Sequence, residues 1–320
     1  MATTFLRKMA KGVTVAILPL AAHADDLGWA PDGPVDMIIA FQAGGGADSL
    51  ARLMAEEIST RHGWNIIPRN VPGRGGGIAA QEVAGAPNDG SAIGFTVSEA
   101  LTYTLQATRD PGYKLEDFDF LTSITGTQMG MVSKPDRGFD TIEDMIEAAR
   151  GGETVTIGAM TQKLADAAYV LGKSNEVEFT IVMTEGGRGG INAVMASDVD
   201  AAWVAGAQSK SVASGDLVNL ASAESTPLRM SPDAPLLNAF NFPYDLGVRF
   251  LTIAPDGIPE EAQTAWNAAI AEVLADPESP LTQLTERVFS GPDGQQGADL
   301  EAAIQQSFDD AGAMLEASAD

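Results

Sequence analysis

Short apolar runs that read as strands alternate with stretches at helical spacing, and they do so in two separate series. In the first, "VDMIIAF" precedes "DSLARLMAEEISTRHG", "WNIIPRNVPG" precedes "GGIAAQEVAGA", and "SAIGFTV" precedes "SEALTYTLQA". In the second, "TVTIGAM" precedes "TQKLADAAYVLGK", "FTIVMTE" precedes "GGRGGINAVMAS", and "VDAAWVA" precedes "GAQSKSVASG". Such alternation requires a mainly parallel sheet whose strands are joined by helical crossovers. Two series therefore predict an α/β chain of two lobes, each a mainly parallel sheet flanked by helices.

The stretches between and after the series supply the crossings. "DFDFLTSITGTQMGMVSKPDRGFDTIEDMIEAARGG" reads as a strand, an extended segment and a helix begun at Asp140 or Thr141, with the first crossing near Ile124 to Thr127. "VRFLTIAPDGIPEEAQTAWNAAIAEVLADPE" reads as a strand, a Pro/Gly turn and an amphipathic helix carrying Ile258, Ala262, Trp266, Ile270 and Leu274. Val248 to Ala254 is the expected return crossing, and the closing "DLEAAIQQSFDDAGAMLEA" a helix packed on the first unit. The expected lobes are residues 25–126 with 248–320, and residues 127–247. A weak internal echo relates "MIIAFQAGGGADSLARLM" to "FTIVMTEGGRGGINAVMA": both run strand, glycine turn, helix.

The first 24 residues stand outside this pattern. Arg7, Lys8 and Lys11 precede a short apolar stretch interrupted by Pro19, and Ala22-His23-Ala24 forms a small-x-small cleavage pattern, so residues 1–24 read as a secretory signal peptide. The leader carries three cations and no acid, so the net charge of −25 becomes −25 − 3 = −28 in the remainder. That excess argues against nucleic acid and anionic membrane surfaces as partners. There is no cysteine, hence no disulfide, thiol nucleophile or thiolate-held metal. Only His62 remains once His23 leaves with the leader, which excludes a histidine-based triad or a multi-histidine metal site. No cofactor is expected.

The chemistry is expected at "FQAGGGAD". A glycine turn before a helix lets an anion approach unpaired N–H groups at the positive end of the helix dipole. Asp48 there either caps the helix or orients turn amides and a bound water; a plain tight turn is the other reading. Nucleotide motifs do not fit, because neither glycine turn continues into Gly-Lys-Ser/Thr or carries the dinucleotide fingerprint. "PDGQQGAD" lacks the ligand ladder of a calcium loop. Trp203 in "VDAAWVAG" is either core or a wall of the site, and Arg74 and Arg188 either solvated cations or contacts.

Several of these elements together resemble a known family. "PVDMIIAFQAGGGADSLARLMAEEIS", "NVPGRGGGIAAQEVAGAPNDGSAIGF", the glycine turn at Glu185 to Gly187, "SDVDAAWV" and "LTIAPDGIPEEAQTAWNAAIAEVLADPE" are similar to periplasmic receptors of tripartite tricarboxylate transporters, the Bug receptors. The resemblance implies a flytrap-like, type II periplasmic binding protein. It would act as a monomer, capturing a small organic carboxylate between its lobes and delivering it to large and small membrane permease subunits. The ligand contacts so implied are Phe41, Ala43, Gly44, Gly45, Asp48, Arg74 and Ser98 from the first lobe, and Thr161, Gln162, Gly186, Gly187 and Asp200 from the second. Departures concentrate in the second lobe, where "GAMTQKLAD" replaces a Gly/Ser-rich loop and Thr184-Glu185-Gly186 replaces Tyr-Lys-Gly. A ligand-sensing receptor for signalling, or a secreted hydrolase or lyase using Asp48, Glu185 or Lys163, are the alternatives; no paired acid and base marks the latter.

Overall fold

The computed structural model describes residues 27–319, so the expected signal peptide lies outside the described residues. In chain order the elements are β1 (Val35–Ile39), α1 (Gly46–His62), β2 (Ile66–Asn70), α2 (Gly77–Ala84), β3 (Ala92–Val97), α3 (Ser98–Leu101), α4 (Tyr103–Ala107), β4 (Phe118–Gly126) and β5 (Met129–Ser133). There follow α5 (Ile142–Arg150), β6 (Thr156–Ala159), α6 (Gln162–Ser174), β7 (Thr180–Met183), α7 (Gly186–Met195), β8 (Ala201–Ala205), α8 (Ser209–Ala213) and β9 (Val218–Ser222). The chain closes with β10 (Arg249–Pro255), α9 (Glu260–Ala275), α10 (Pro280–Val288) and α11 (Gly297–Ala319).

Two five-stranded sheets result, in the orders β2-β1-β3-β10-β4 and β7-β6-β8-β5-β9. In each, three strands pair in parallel, and one strand inserted beside them runs against its neighbours: β10 in the first sheet and β5 in the second. The inserted strand is in both cases the one that has just crossed from the other sheet. Its reversal is a consequence of that entry, and the rest of each sheet is parallel in direction, as the alternation predicts.

Alternation of side chains along each strand separates the cores. Val35, Met37 and Ile39 enter one cluster with Leu50, Met54 and Trp266, whereas Ile38 and Ala40 enter another with Val83 and Ile253 on the opposite face. The second sheet repeats this, with Met131, Ala201 and Trp203 on one face and Val132, Ala202 and Val204 on the other. Both faces being covered is why these strands read as continuous apolar runs. Trp203 is fully buried, so it is core.

Two crossings join the sheets and are bonded to each other: Thr127 N–H donates to the Val248 carbonyl at 3.0 Å, and Val248 N–H to Thr127 Oγ1 at 3.1 Å. The closing helix departs from expectation. Leu300 and Ile304 of α11 pack with the first sheet's outer face, but Ala311 and Met314 enter the second sheet's core. Among the described residues no helix is long and apolar enough to cross a membrane.

Candidate ligand-binding site

The first-lobe turn is organised by Asp48. α1 begins after Gly45, and no side chain caps it. Asp48, buried in the first helical turn, points its carboxylate back at the loop. Its Oδ2 accepts the Gly44 N–H at 2.9 Å, while Oδ1 accepts the Asn70 amide at 2.9 Å and the Arg52 Nε–H at 2.7 Å. Asn70 also donates to the Phe41 carbonyl at 2.8 Å, and Arg52 donates to Asn70 Oδ1 at 2.9 Å. Burial opposes the charge on Asp48, yet the Gly44 N–H, the Asn70 amide and the Arg52 guanidinium together hold its carboxyl below the usual range. Of the roles open to Asp48, orientation of the turn is the one observed. Asn70 and Arg52 lie in the matching motifs, but the sequence reading assigned them no part; the Asp48/Arg52 spacing of four was the available signal.

With Asp48 fastened to the loop, the exposed backbone of residues 43–46 leads into the N-terminus of α1, whose first N–H groups have no helical partner. Gly44, at φ +81°, supplies the left-handed residue of the turn, whereas Gly45 lies at φ −85°. The second turn is more contorted: Gly73, Arg74, Gly75 and Gly76 all have positive φ, at 128°, 47°, 59° and 98°. Arg74 is strained there, since an L side chain disfavours this region; its guanidinium donates to Gln81 at 2.7 Å and stays exposed. A Cβ on Gly76 would stand 2.9 Å from Ala100 Cβ and 3.3 Å from Ala40 Cβ, so the loops after β1, β2 and β3 meet here.

The second lobe repeats this convergence with fewer ties. A Cβ on Gly187 would lie 3.4 Å from Val204, 3.7 Å from Ala207 and 3.9 Å from Met160 Sδ, which joins the loops after β6, β7 and β8. Thr161 is the N-cap of α6, its hydroxyl accepting the Leu164 N–H at 3.4 Å. Gln162 is exposed and donates to Asp166 at 2.7 Å, and Gly186 opens α7 at φ +65°.

The two trios of loops face each other. Phe289 lies between the start of α1 and the loop after β8, 3.1 Å from a Cβ placed on Gly46 and 3.3 Å from one placed on Gly206. Across the middle, the buried Glu99 at the start of α3 lies near Thr161 and Lys163 of the other lobe, and burial pushes its carboxyl up despite them. Glu99 is an interlobe neighbour that the sequence reading missed, although an acid directly after a strand of the first series was visible.

Two predicted contacts are placed elsewhere. Asp200 precedes β8 and so stands at the far end of that strand from the loop. There its carboxylate accepts from Arg137 Nε at 2.6 Å, Thr156 N at 2.7 Å and Thr156 Oγ1 at 2.7 Å, fastening strand starts together. Ser98 faces the crossings, its hydroxyl accepting the Arg249 N–H at 3.0 Å. It lines a cavity of about 430 Å³ beside both crossings, with Thr127, Lys163, Glu224 and Tyr244; no other predicted contact lines that cavity. Glu224 accepts from Thr127 Oγ1 at 2.8 Å and Met129 N at 2.6 Å, and burial pushes its carboxyl up to about 7 despite those donors. No cluster of metal-ligating side chains occurs among the described residues.

Comparison with known proteins settles the family. A family model described as tripartite tricarboxylate transporter family receptor matches residues 50–317. The chain belongs to that receptor family. It is a family of solute-binding receptors and not of enzymes. A curated relative from Agrobacterium vitis, a UPF0065 protein, is 33% identical over 153 residues, covering 46% of this chain and 42% of that protein. The chain thus spans well under half of that relative's length. A UPF0065 protein of Bordetella bronchiseptica is 25% identical over 278 residues, covering 83% of this chain and 79% of that protein.

Among solved structures, the Rhodopseudomonas palustris protein MatC with bound malate superposes with a TM-score of 0.76 at 20% identity, covering 90% of this chain and 99% of that one. R. palustris Rpa4515 with adipate gives 0.80 at 21% identity, covering 90% and 98%. At such identities the receptor likeness establishes the shared two-lobed fold.

Proposed function

We propose that this protein is a periplasmic receptor that captures a small organic carboxylate between its lobes and passes it to the large and small membrane subunits of a tripartite transporter. It is exported through a leader at residues 1–24 and works as a monomer. Its lobes are residues 25–126 with 248–320, and residues 127–247, with α11 lying along both. The observation that carries this reading is the convergence of two trios of loops, each following three parallel strands, with the N-termini of α1 and α2 opposite those of α6 and α7. Open α/β sheets bind ligands at such strand ends, and helix N-termini favour anions there.

In this reading one ligand carboxylate sits on the amides of Ala43, Gly45 and Gly46, the Gly44 N–H being held by Asp48, beside the turn at residues 73–76. Two or three charge-assisted hydrogen bonds of about 1.5–3 kcal/mol each approach the roughly 8 kcal/mol of micromolar binding, and contacts from the second lobe add to them. A ligand touching both lobes favours the closed arrangement by its differential affinity for it. The malate and adipate named for the two structural neighbours support the choice of acid.

Thermal unfolding in the presence of mono-, di- and tricarboxylates tests the reading, because a ligand of the native state raises the melting temperature. At least one acid is expected to raise it by several degrees, and Gly44→Val to abolish that rise. A flat response to every acid in the panel would overturn the proposal.

A further inference from the structure

The two sheets have four edges between them, and three are protected. Along β4 runs the segment at residues 292–296, with Ser123 N–H donating to the Gln295 carbonyl at 2.9 Å and Asp293 N–H to that of Ile124 at 3.0 Å. Along β9 runs the segment at residues 231–236, where Asn219 donates to Ser231 Oγ at 2.9 Å and Ser222 N–H to the Pro235 carbonyl at 2.8 Å. β2 is guarded by its composition. Val71 N–H donates to the Ile39 carbonyl, so by the alternation of a parallel ladder odd-numbered residues here bond β1 and even-numbered ones face outward. The outward residue in mid-strand is Pro68, which has no N–H to offer, and beside it Arg69 is paired with Asp36 and Glu82.

The fourth edge, β7, carries none of these devices. Thr180 and Thr184 donate their N–H groups inward to the Val155 and Ala159 carbonyls at 2.8 Å each, which turns the backbone groups of Ile181 and Met183 to the open side. The strand contains neither proline nor charge, and Val182 is 39% and Met183 56% exposed. Tyr169 and Met195, on the helices before and after β7, are exposed as well, so four of the six exposed large apolar side chains among the described residues belong to this one strand and its flanking helices. An unguarded edge of this kind is a template for another strand.

The ends of the edge decide which strand fits. Glu176 and Glu178 precede β7 and Glu185 follows it; all three are exposed, and none is ion-paired among the described residues. No Lys or Arg occurs from residue 174 to residue 187. Two copies of β7 pairing antiparallel about its centre would set Glu178 of each beside Glu185 of the other, and like charges directly opposite are destabilising. A strand with an apolar centre and Lys or Arg at both ends meets a carboxylate at each end instead.

We propose that the open edge of β7 is a docking site for an extended segment of a partner protein, apolar at its centre and basic at both ends, which adds to the second sheet as a further strand. The edge runs into the turn at residues 184–187, so a partner seated on it adjoins the second-lobe half of the candidate site and moves with that lobe. Such docking requires no carboxylate in the cleft.

Calorimetric titration with the blocked peptide KRVTVTVRK tests the proposal, with hydrogen exchange reporting the Ile181 and Met183 amides. The peptide should bind, slow exchange at those two amides, and bind roughly tenfold more weakly when its centre is made of prolines, KRVPPPVRK, or its ends are acidic, DEVTVTVED. Met183→Pro removes an outward N–H where an edge strand tolerates proline, and should weaken the peptide roughly tenfold. Glu178→Gln combined with Glu185→Gln should do the same and flatten the dependence on salt. Absence of binding, equal binding of the three peptides, protection that falls elsewhere, or an affinity unmoved in either variant overturns the proposal. Should Met183→Pro fail to fold, the three peptides and the two amides decide. Sedimentation at rising protein concentration covers the other occupant: dimers formed by the unaltered protein and lost in Met183→Pro would assign the edge to a second copy and overturn the proposal as well.

Discussion

The loops after β1 and β2 and the loops after β6 and β7 occupy equivalent places on equivalent sheets, yet they are held by different means. In the first lobe, Asp48, Asn70 and Arg52 form a closed set of side-chain bonds that fixes the turn, and four successive residues with positive φ fix its neighbour. In the second lobe the turn at residues 184–187 carries an exposed Glu185 and Arg188 that make no ion pair among the described residues, and its shape comes from small residues packed at Gly187. A pre-formed half and a more compliant half suit a cleft in which one end of the ligand binds first and closure brings the other into contact.

The contrast can be broken most strongly at Gly76. Gly76→Val puts a branched side chain at φ +98° and within 2.9 Å of Ala100, and should cost about 3 kcal/mol or more in chemical denaturation, whereas Gly186→Ala, in open space at φ +65°, should cost about 1 kcal/mol. Equal losses at the two positions would erase the distinction between the lobes. Next in size, Asp48→Ala strands the Gly44 N–H and the Asn70 amide and should lose about 2–3 kcal/mol of stability, with tenfold or greater loss of carboxylate affinity by calorimetry. Unchanged affinity in the folded variant would mean the turn needs no organiser.

A third measurement asks whether the second lobe is fastened at the crossings instead of at its loops. Glu224 titrates near 7 in the folded chain against an ordinary value of 4.5, so the folded chain retains a proton that the unfolded chain has lost in that window. The stabilising effect is complete below pH 4.5 and is lost as pH rises through about 7, amounting to roughly 1–3 kcal/mol. Relative to the unaltered protein, Glu224→Gln should therefore flatten the stability profile between those values; parallel profiles would show that Glu224 is not the group responsible. The smallest effect is expected at Thr161, where Thr161→Val removes the α6 cap and should cost about 1 kcal/mol in melting experiments. A loss as large as that of Asp48→Ala would show the second-lobe loop to be as tightly organised as the first.

The strands that carry the site were legible because they are covered on both faces: β3 is buried at every residue, and β1 at all but one. β9 was not, since "VNLAS" is a five-residue run at a sheet edge, recognisable only through its pairing with β5. The break between α3 and α4 at Thr102, with φ −119° and ψ −85°, has no proline or glycine to announce it. In the candidate site, the glycines and Asp48 were visible as a turn before a helix, while the partners of Asp48 depend on β2 lying beside β1. Asp200 misled for a different reason. It precedes its strand, and the rule that ligands gather at carboxyl ends of strands already argued against it.

The position of α11 constrains how such a receptor can move. A 23-residue helix is a rod of roughly 35 Å, stiff on the scale of a lobe rotation. Its leading half is seated on one lobe through Leu300 and Ile304, with Gln106 bonded to the Phe308 carbonyl at 2.7 Å, and its trailing half rests on the other through Ala311 and Met314. The rod therefore works as a lever arm laid across a joint: when one plate turns, the trailing half must glide over it. At that contact Ala311 and Met314 are joined by the partly buried Leu315 and Ala317, so small side chains and a flexible thioether make up most of a bearing with one branched side chain at its edge.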